Sequence, residues 1–424
     1  MPLNNRIILP RETTKPRTLI LAVLFPLLAS TVTGIVQVVS ANPDSVTATI
    51  NVGVLPSGVA VNPSTNRVYV TNMLSNTVSV IDGSTNSVIA NIVDVDEPYA
   101  VDANLKTNRV YVTSNKSDSL YVIDGSTNTR TATIKLDDKR CTSTEVCATV
   151  AVNPNTNKVY VAMEASNSVY VLDGNTNAMV GNITVGKAPY GIAVLADTNR
   201  VYVVSNEDAT LSVIDGSNDV VVATIPMAVA GGSPFAVAAN PNTNRIYVAV
   251  DIARLVAVVD GSNNAIIATI SLGADGNFLC VNPSTGNVYV PLQGTNKVAV
   301  IDGLSNKVIA SIKVGENPWQ AATNSNTNRT YVTNLYSMTV SVIEGTTPVS
   351  STSSGTASVV STSATTTQTS TTSSSLVASS VSAATSAAGS DQSPSPAISP
   401  SLLVGVAVVV VLAAFGYLLL KRRR

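Results

Sequence analysis

The sequence predicts an all-β ring of repeated four-stranded units, and two observations carry the prediction. Tyrosines recur at Tyr69, Tyr111, Tyr160, Tyr202, Tyr247, Tyr289 and Tyr331, each followed by Val, and thirteen residues after every one stands an acid followed by Gly: Asp82, Asp124, Asp173, Asp215, Asp260, Asp302 and Glu344. The interval from acid to next Tyr is 29 residues in four cases, 36 before Tyr160 and 32 before Tyr247, so the period is 42 residues with two insertions. Self-similarity at a fixed period of this size marks a repeat architecture. The second observation is composition. The 424 residues are 45% hydrophobic but only 4% aromatic and 12% charged, and the abundance of Val, Ala, Ser, Thr and Asn favours strands over helices.

Each unit reads as four strands. In the first, Gly58–Val61 is followed by an Asn62-Pro63-Ser64-Thr65 turn, then Arg67–Asn72, a loop, Thr77–Asp82, a Gly83–Asn86 turn and Ser87–Asn91. Asn-Pro and Asp-Gly punctuate antiparallel strands because Asn, Asp and Gly supply the turn geometry. Runs such as Val78-Ser79-Val80-Ile81 are partly apolar on both faces, which suits sheets covered on both sides. Four strands per repeat and seven repeats describe a seven-bladed β-propeller.

Closure is legible as well. The seventh unit passes from Glu344 and Gly345 into a Ser/Thr-rich run without a fourth strand, while Val46-Thr47-Ala48-Thr49-Ile50 at the start matches Val88–Ile92. The N-terminal strand is therefore expected to complete blade seven, joining first to last. The propeller then occupies residues 42–345.

Tyr69-Val70-Thr71-Asn72 and Tyr331-Val332-Thr333-Asn334, with the Asn-Arg-Val-Tyr-Val, Val-Ile-Asp-Gly and Ala-Thr-Ile segments around them, resemble the YVTN-type β-propeller repeats. The resemblance covers about 304 residues and implies the fold and a place in archaeal or bacterial cell-surface and surface-layer proteins. It carries no catalytic motif.

The ends give an address. Residues 1–17 hold Arg6, Arg11, Lys15 and Arg17 against one acid, no charge follows up to Ser40, and Val39-Ser40-Ala41 offers small residues for cleavage. A signal peptide over residues 1–41 is the reading; the length of the apolar stretch also fits an uncleaved anchor. Thr346–Pro400 contains 31 Ser or Thr in 55 residues and only one charge, Asp391. Such a segment buries too little apolar surface to order itself and reads as an O-glycosylated stalk. Leu402–Leu420 is uncharged and ends in Lys421-Arg422-Arg423-Arg424, a transmembrane helix (401–420) with a cytoplasmic basic tail. The propeller is thus expected outside the cell, anchored in the cytoplasmic membrane.

The residue types restrict the chemistry. The chain has no His and carries 25 Lys and Arg against 26 Asp and Glu. His-dependent hydrolysis, His-ligated metals and His proton shuttles are excluded, and a balanced charge provides no field for nucleic acid. The recurrent Asn-Arg and Asp-Gly pairs are read as turn caps and inter-blade links, because they recur in nearly every blade. Departures from the repeat are more informative. Twelve residues before each Tyr, where the innermost strand begins, stand Ser57, Tyr99, Ala148, Tyr190, Phe235, Asn277 and Trp319. Tyr99, Tyr190, Phe235 and Trp319 concentrate aromatic rings at the channel mouth, which suits stacking on sugars or gripping an extended peptide, or simply caps the channel. Nine residues before each Tyr, Asp102 is the one carboxylate among Ala60, Ala151, Ala193, Ala238, Cys280 and Ala322. It is either a candidate Ca²⁺ ligand or a hydrated acid. Cys141 and Cys147 are expected to form a disulfide, with Cys280 unpaired and buried. Asn115, Asn182 and Asn328 begin glycosylation sequons. These features favour a non-enzymatic surface propeller for adhesion, envelope assembly or ligand capture, partnered by the membrane and by an envelope polysaccharide or surface protein, with no cofactor beyond a possible Ca²⁺. A lactonase-like hydrolase or lyase and a purely structural surface-layer subunit are the alternatives.

Overall fold

The structure is a computed structural model that describes residues 44–136 and 148–345. Seven four-stranded antiparallel sheets succeed one another along the chain. Their inner strands touch in sequence from blade one to blade seven, and blade seven's returns to blade one. The blades begin at Pro56, Pro98, Ala148, Pro189, Ser233, Cys280 and Pro318. The closing strand Ser45–Asn51 pairs antiparallel with Thr339–Glu344 as the outer strand of blade seven, as the sequence predicts. No α-helix occurs among the described residues.

The repeat makes physical sense residue by residue. All seven repeat tyrosines are almost wholly buried, the first of them packed in one cluster with Val78 and Val80 of its own blade and Val110 and Val112 of the next. The Asp of Asp-Gly caps its own turn, as when Asp82 Oδ1 accepts from Ser84 N at 2.8 Å; that backbone donor leads the causes that hold its pKa below the ordinary carboxylate value, with Arg67 adding to it. The Gly that follows is sterically required. A Cβ on Gly125 would lie 2.6 Å from Asn108 Oδ1 and 2.7 Å from Tyr69 Oη of the preceding blade. The Arg two residues before five of the seven tyrosines either reaches the next blade, as Arg329 does to Gly83 O at 2.7 Å, or pairs with its own Asp, as Arg200 does with Asp215 at 2.8 Å; Lys158 and Asn287 take the place in blades three and six.

A ring of asparagine pairs stitches the blades together on the face that holds these turns. Asn62 Nδ2 donates to Asn108 Oδ1 at 2.9 Å, Asn104 to Asn157 at 2.7 Å, Asn153 to Asn199 at 2.7 Å, Asn282 to Asn328 at 2.5 Å and Asn324 to Asn66 at 2.7 Å. The acceptors take positive φ, which Asn tolerates. The ring breaks on both sides of blade five. Leu195 replaces the donor facing Asn244 and Gly286 replaces the acceptor facing Asn240, leaving Asn244 Oδ1 and Asn240 Nδ2 buried without partners among the described residues. At the four-to-five junction an apolar cluster that includes Leu195, Tyr202, Ile246 and Val248 takes over.

Gly286 has φ +77° and open space where a Cβ would sit. Gly286→Asn is therefore expected to complete the pair with Asn240 and restrict the unfolded chain, stabilising the protein by about 1 kcal/mol. Thermal or denaturant melting checks it; an unchanged or lower midpoint contradicts the role given to the ring.

Blade six departs from the expected pattern. Its inner strand is reduced to Cys280–Val281. The predicted signal peptide, Cys141 and Cys147, the stalk, the transmembrane segment and the basic tail lie outside the described residues. Among the described residues no helix is long and apolar enough to cross a membrane.

Candidate functional site at the channel mouth

The inner strands open at the face opposite the asparagine ring, and the Thr of the repeat motif organises that mouth. In blade one, Gly58 N donates to Thr71 Oγ1 at 2.6 Å, and Thr71 Oγ1 donates to Tyr99 O of blade two at 2.6 Å. Thr113 links Ala100 N to Ala148 O in the same way, at 3.1 and 3.0 Å, and Thr333 links Gln320 N to Ser57 O at 3.1 and 3.0 Å. A hydroxyl thus relays between one blade's inner strand and the next blade's first mouth residue. Blade six has Pro291 where these blades have Thr. Blades three, four and five have Ala162, Val204 and Ala249 there and keep full inner strands, whereas Pro291 also has no backbone N–H to give. Phe278 N donates to Trp319 O at 3.1 Å, and Ala321 N donates back to Phe278 O at 3.1 Å. The inner strand of blade six leaves its own sheet and bridges to blade seven beside Gln320.

That detour puts Phe278 into the mouth. Tyr190 and Phe235 lie with ring centroids 4.5 Å apart. Phe278 packs on Tyr190 at 5.7 Å, Phe235 at 5.2 Å and Trp319 at 6.0 Å, and Trp319 meets Phe235 edge-on at 6.1 Å. Tyr99 joins through its hydroxyl, 3.2 Å from that of Tyr190. All four predicted aromatic positions therefore come together, with Phe278 as a fifth that the sequence reading missed. The missed signal lies one residue further on. Eleven residues before each Tyr stand Gly58, Ala100, Thr149, Gly191, Ala236, Phe278 and Gln320, small until blade six.

The rings close over one another instead of standing apart as a rim. Tyr99 and Tyr190 are buried, whereas Phe235, Phe278 and Trp319 keep partly exposed faces. A cavity of about 40 Å³ remains, lined by Ser57, Tyr99, Thr149, Phe278, Trp319 and Gln320 among others. It has room for very few water molecules. No charged side chain lines it.

Asp102 sits deeper, in the channel wall. Its Oδ1 accepts from Ala103 N at 2.8 Å and its Oδ2 from Val152 N of blade three at 2.7 Å. Burial pushes its pKa up to about 6 against those two donors. Among the described residues no three His, Cys, Asp or Glu lie close enough to hold a metal ion. Asp102 thus bridges blades two and three, and a cation there would draw its other ligands from backbone and water. Cys280 is a free cysteine whose thiol burial pushes up to about 12, so it is no nucleophile at neutral pH.

The profile of the YNCE-like β-propellers, a YVTN-type family, matches residues 18–329, about three quarters of the chain. The chain belongs to the YNCE-like β-propeller family. No curated protein matches it. Among solved structures, the Kuenenia stuttgartiensis hydrazine synthase aligns with TM-score 0.61 and 17% identity over 68% of this chain and 95% of that one. At that identity the likeness concerns the fold alone. With 1517 solved chains matching, YNCE-like architecture by itself selects no activity.

Proposed function

We propose that this propeller is a non-enzymatic binding module held at the outside of the cell, and that its mouth face receives a neutral saccharide of the cell envelope. The observation that carries the reading is the convergence of five aromatic rings from blades two, four, five, six and seven, three of them partly exposed, around a cavity without charged lining. Flat exposed rings stack on the apolar faces of sugar rings. The absence of charge disfavours an ionic ligand. Gln320, partly exposed next to Trp319, supplies a polar group at the edge. The export signal, stalk and membrane anchor read from the sequence would hold this face clear of the membrane.

Calorimetric titration of the full-length chain in detergent with neutral oligosaccharides released from the cell envelope tests the reading. Saturable binding, weakened about tenfold or more by Trp319→Ala or Phe235→Ala, is the expected result. Binding unaffected by both substitutions, or no binding, overturns it and leaves the rings as a channel cap.

A further inference from the structure

Three sequons stand in the described residues, and the fold treats them differently. Asn115 is 8% exposed, its backbone N is bonded to Glu97 O at 2.9 Å, and its Nδ2 points to Met73 Sδ at 3.9 Å. The hydroxyl of its sequon, Ser117 Oγ, is engaged by Tyr121 Oη at 2.9 Å and Ser114 Oγ at 2.8 Å. Asn328 belongs to the asparagine ring, accepting from Asn282 and donating to Gly345 O. Its sequon hydroxyl on Thr330 is fully buried against Thr323 Oγ1 at 2.9 Å. Asn182 and Thr184, by contrast, are both exposed on the outer strand Met179–Thr184 of blade three. That strand carries no charge, and Met179 and Val180 beside the sequon are 45% and 56% exposed. An outer strand is normally guarded by charge or bulk.

We propose that Asn182 is the N-glycan acceptor of the folded propeller and that Asn115 and Asn328 stay unmodified. The donor class is a polyprenyl-phosphate-linked sugar. The bond from its anomeric carbon to the phosphate oxygen breaks, a bond from that carbon to Asn182 Nδ2 forms, Nδ2 gives one proton to a base of the transferase, and the lipid phosphate leaves. At Asn115 and Asn328 the same step requires both the amide and the hydroxyl to abandon internal partners. At Asn182 it requires neither, and the sugar covers apolar edge.

The proposal rests on the outward placement of the propeller. Glycopeptide mapping of the full-length chain from its own membranes tests it, beside surface labelling of lysines on intact cells. The expected result is a glycan on Asn182, unmodified Asn115 and Asn328, and loss of the mass shift in Thr184→Ala, which leaves Asn182 in place. A bare Asn182 in a surface-labelled chain, or a glycan on Asn115 or Asn328, overturns the proposal. A bare Asn182 in an unlabelled chain overturns it together with the outward placement.

Discussion

Deleting Asp44–Asn51 is expected to leave a chain that no longer melts cooperatively. The deletion removes the whole outer strand of blade seven and, with it, the pairing by which the two ends of the ring share one sheet among the described residues. Val340, Val342 and Ile343 of the partner strand are fully buried in the closed ring, and part of that apolar edge would face water. Ile50 would vanish from the cluster it shares with Val59, Val70 and Val342 between blades seven and one. The loss is on the order of the entire stability of a domain, about 5–15 kcal/mol. Calorimetry of the deletion variant checks it, and a peptide spanning Ser45–Asn51 added in excess is expected to restore part of the transition. A deletion variant that melts like the parent would show that the ring does not depend on this closure.

The second large effect separates residues that the repeat makes look alike. Tyr289→Ala is expected to cost about 3–5 kcal/mol, the range for emptying an aromatic site in a packed core. Removing only the hydroxyl discriminates further. Tyr289 Oη donates to Asp44 Oδ2 at 2.7 Å across the ring closure, and burial followed by the Asp44 charge raises the tyrosine pKa. Tyr289→Phe is therefore expected to cost about 1.5–3 kcal/mol, as for a bond to a charged group. Tyr202 occupies the same place in blade four, yet its hydroxyl is buried with no partner among the described residues. Tyr202→Phe is expected to be neutral or slightly stabilising. Denaturant melts of the two Phe variants check the contrast, and equal costs contradict it.

The contrast between Tyr289 and Tyr202 also marks what the sequence could show. A fixed interval of thirteen residues and recurrent turn pairs locate the strands almost to the residue, since strand and turn are local properties. Ring closure was legible because an orphan strand at one end matched a missing strand at the other. Partner choice across blades is not local. Nothing in the repeat says that Arg200 turns to its own Asp215 while Arg329 reaches blade one. The mouth was legible as four aromatic positions, but Phe278 enters it through the pairing of blade six's inner strand with blade seven, which no residue spacing contains. The collapse of the rings onto one another is a packing outcome that residue spacing does not contain. Asp102 shows the same limit. It stood out as an odd carboxylate, and only the structure shows both oxygens taken by backbone donors.

The most direct measurement of the central claim uses Trp319, the single tryptophan of the chain. Acrylamide quenching of its emission reads the exposure of the mouth itself. With neutral envelope oligosaccharide added to the full-length chain, the account predicts that quenching falls and recovers when the sugar is removed. Binding of the sugar with quenching unchanged would place recognition elsewhere on the propeller and contradict it.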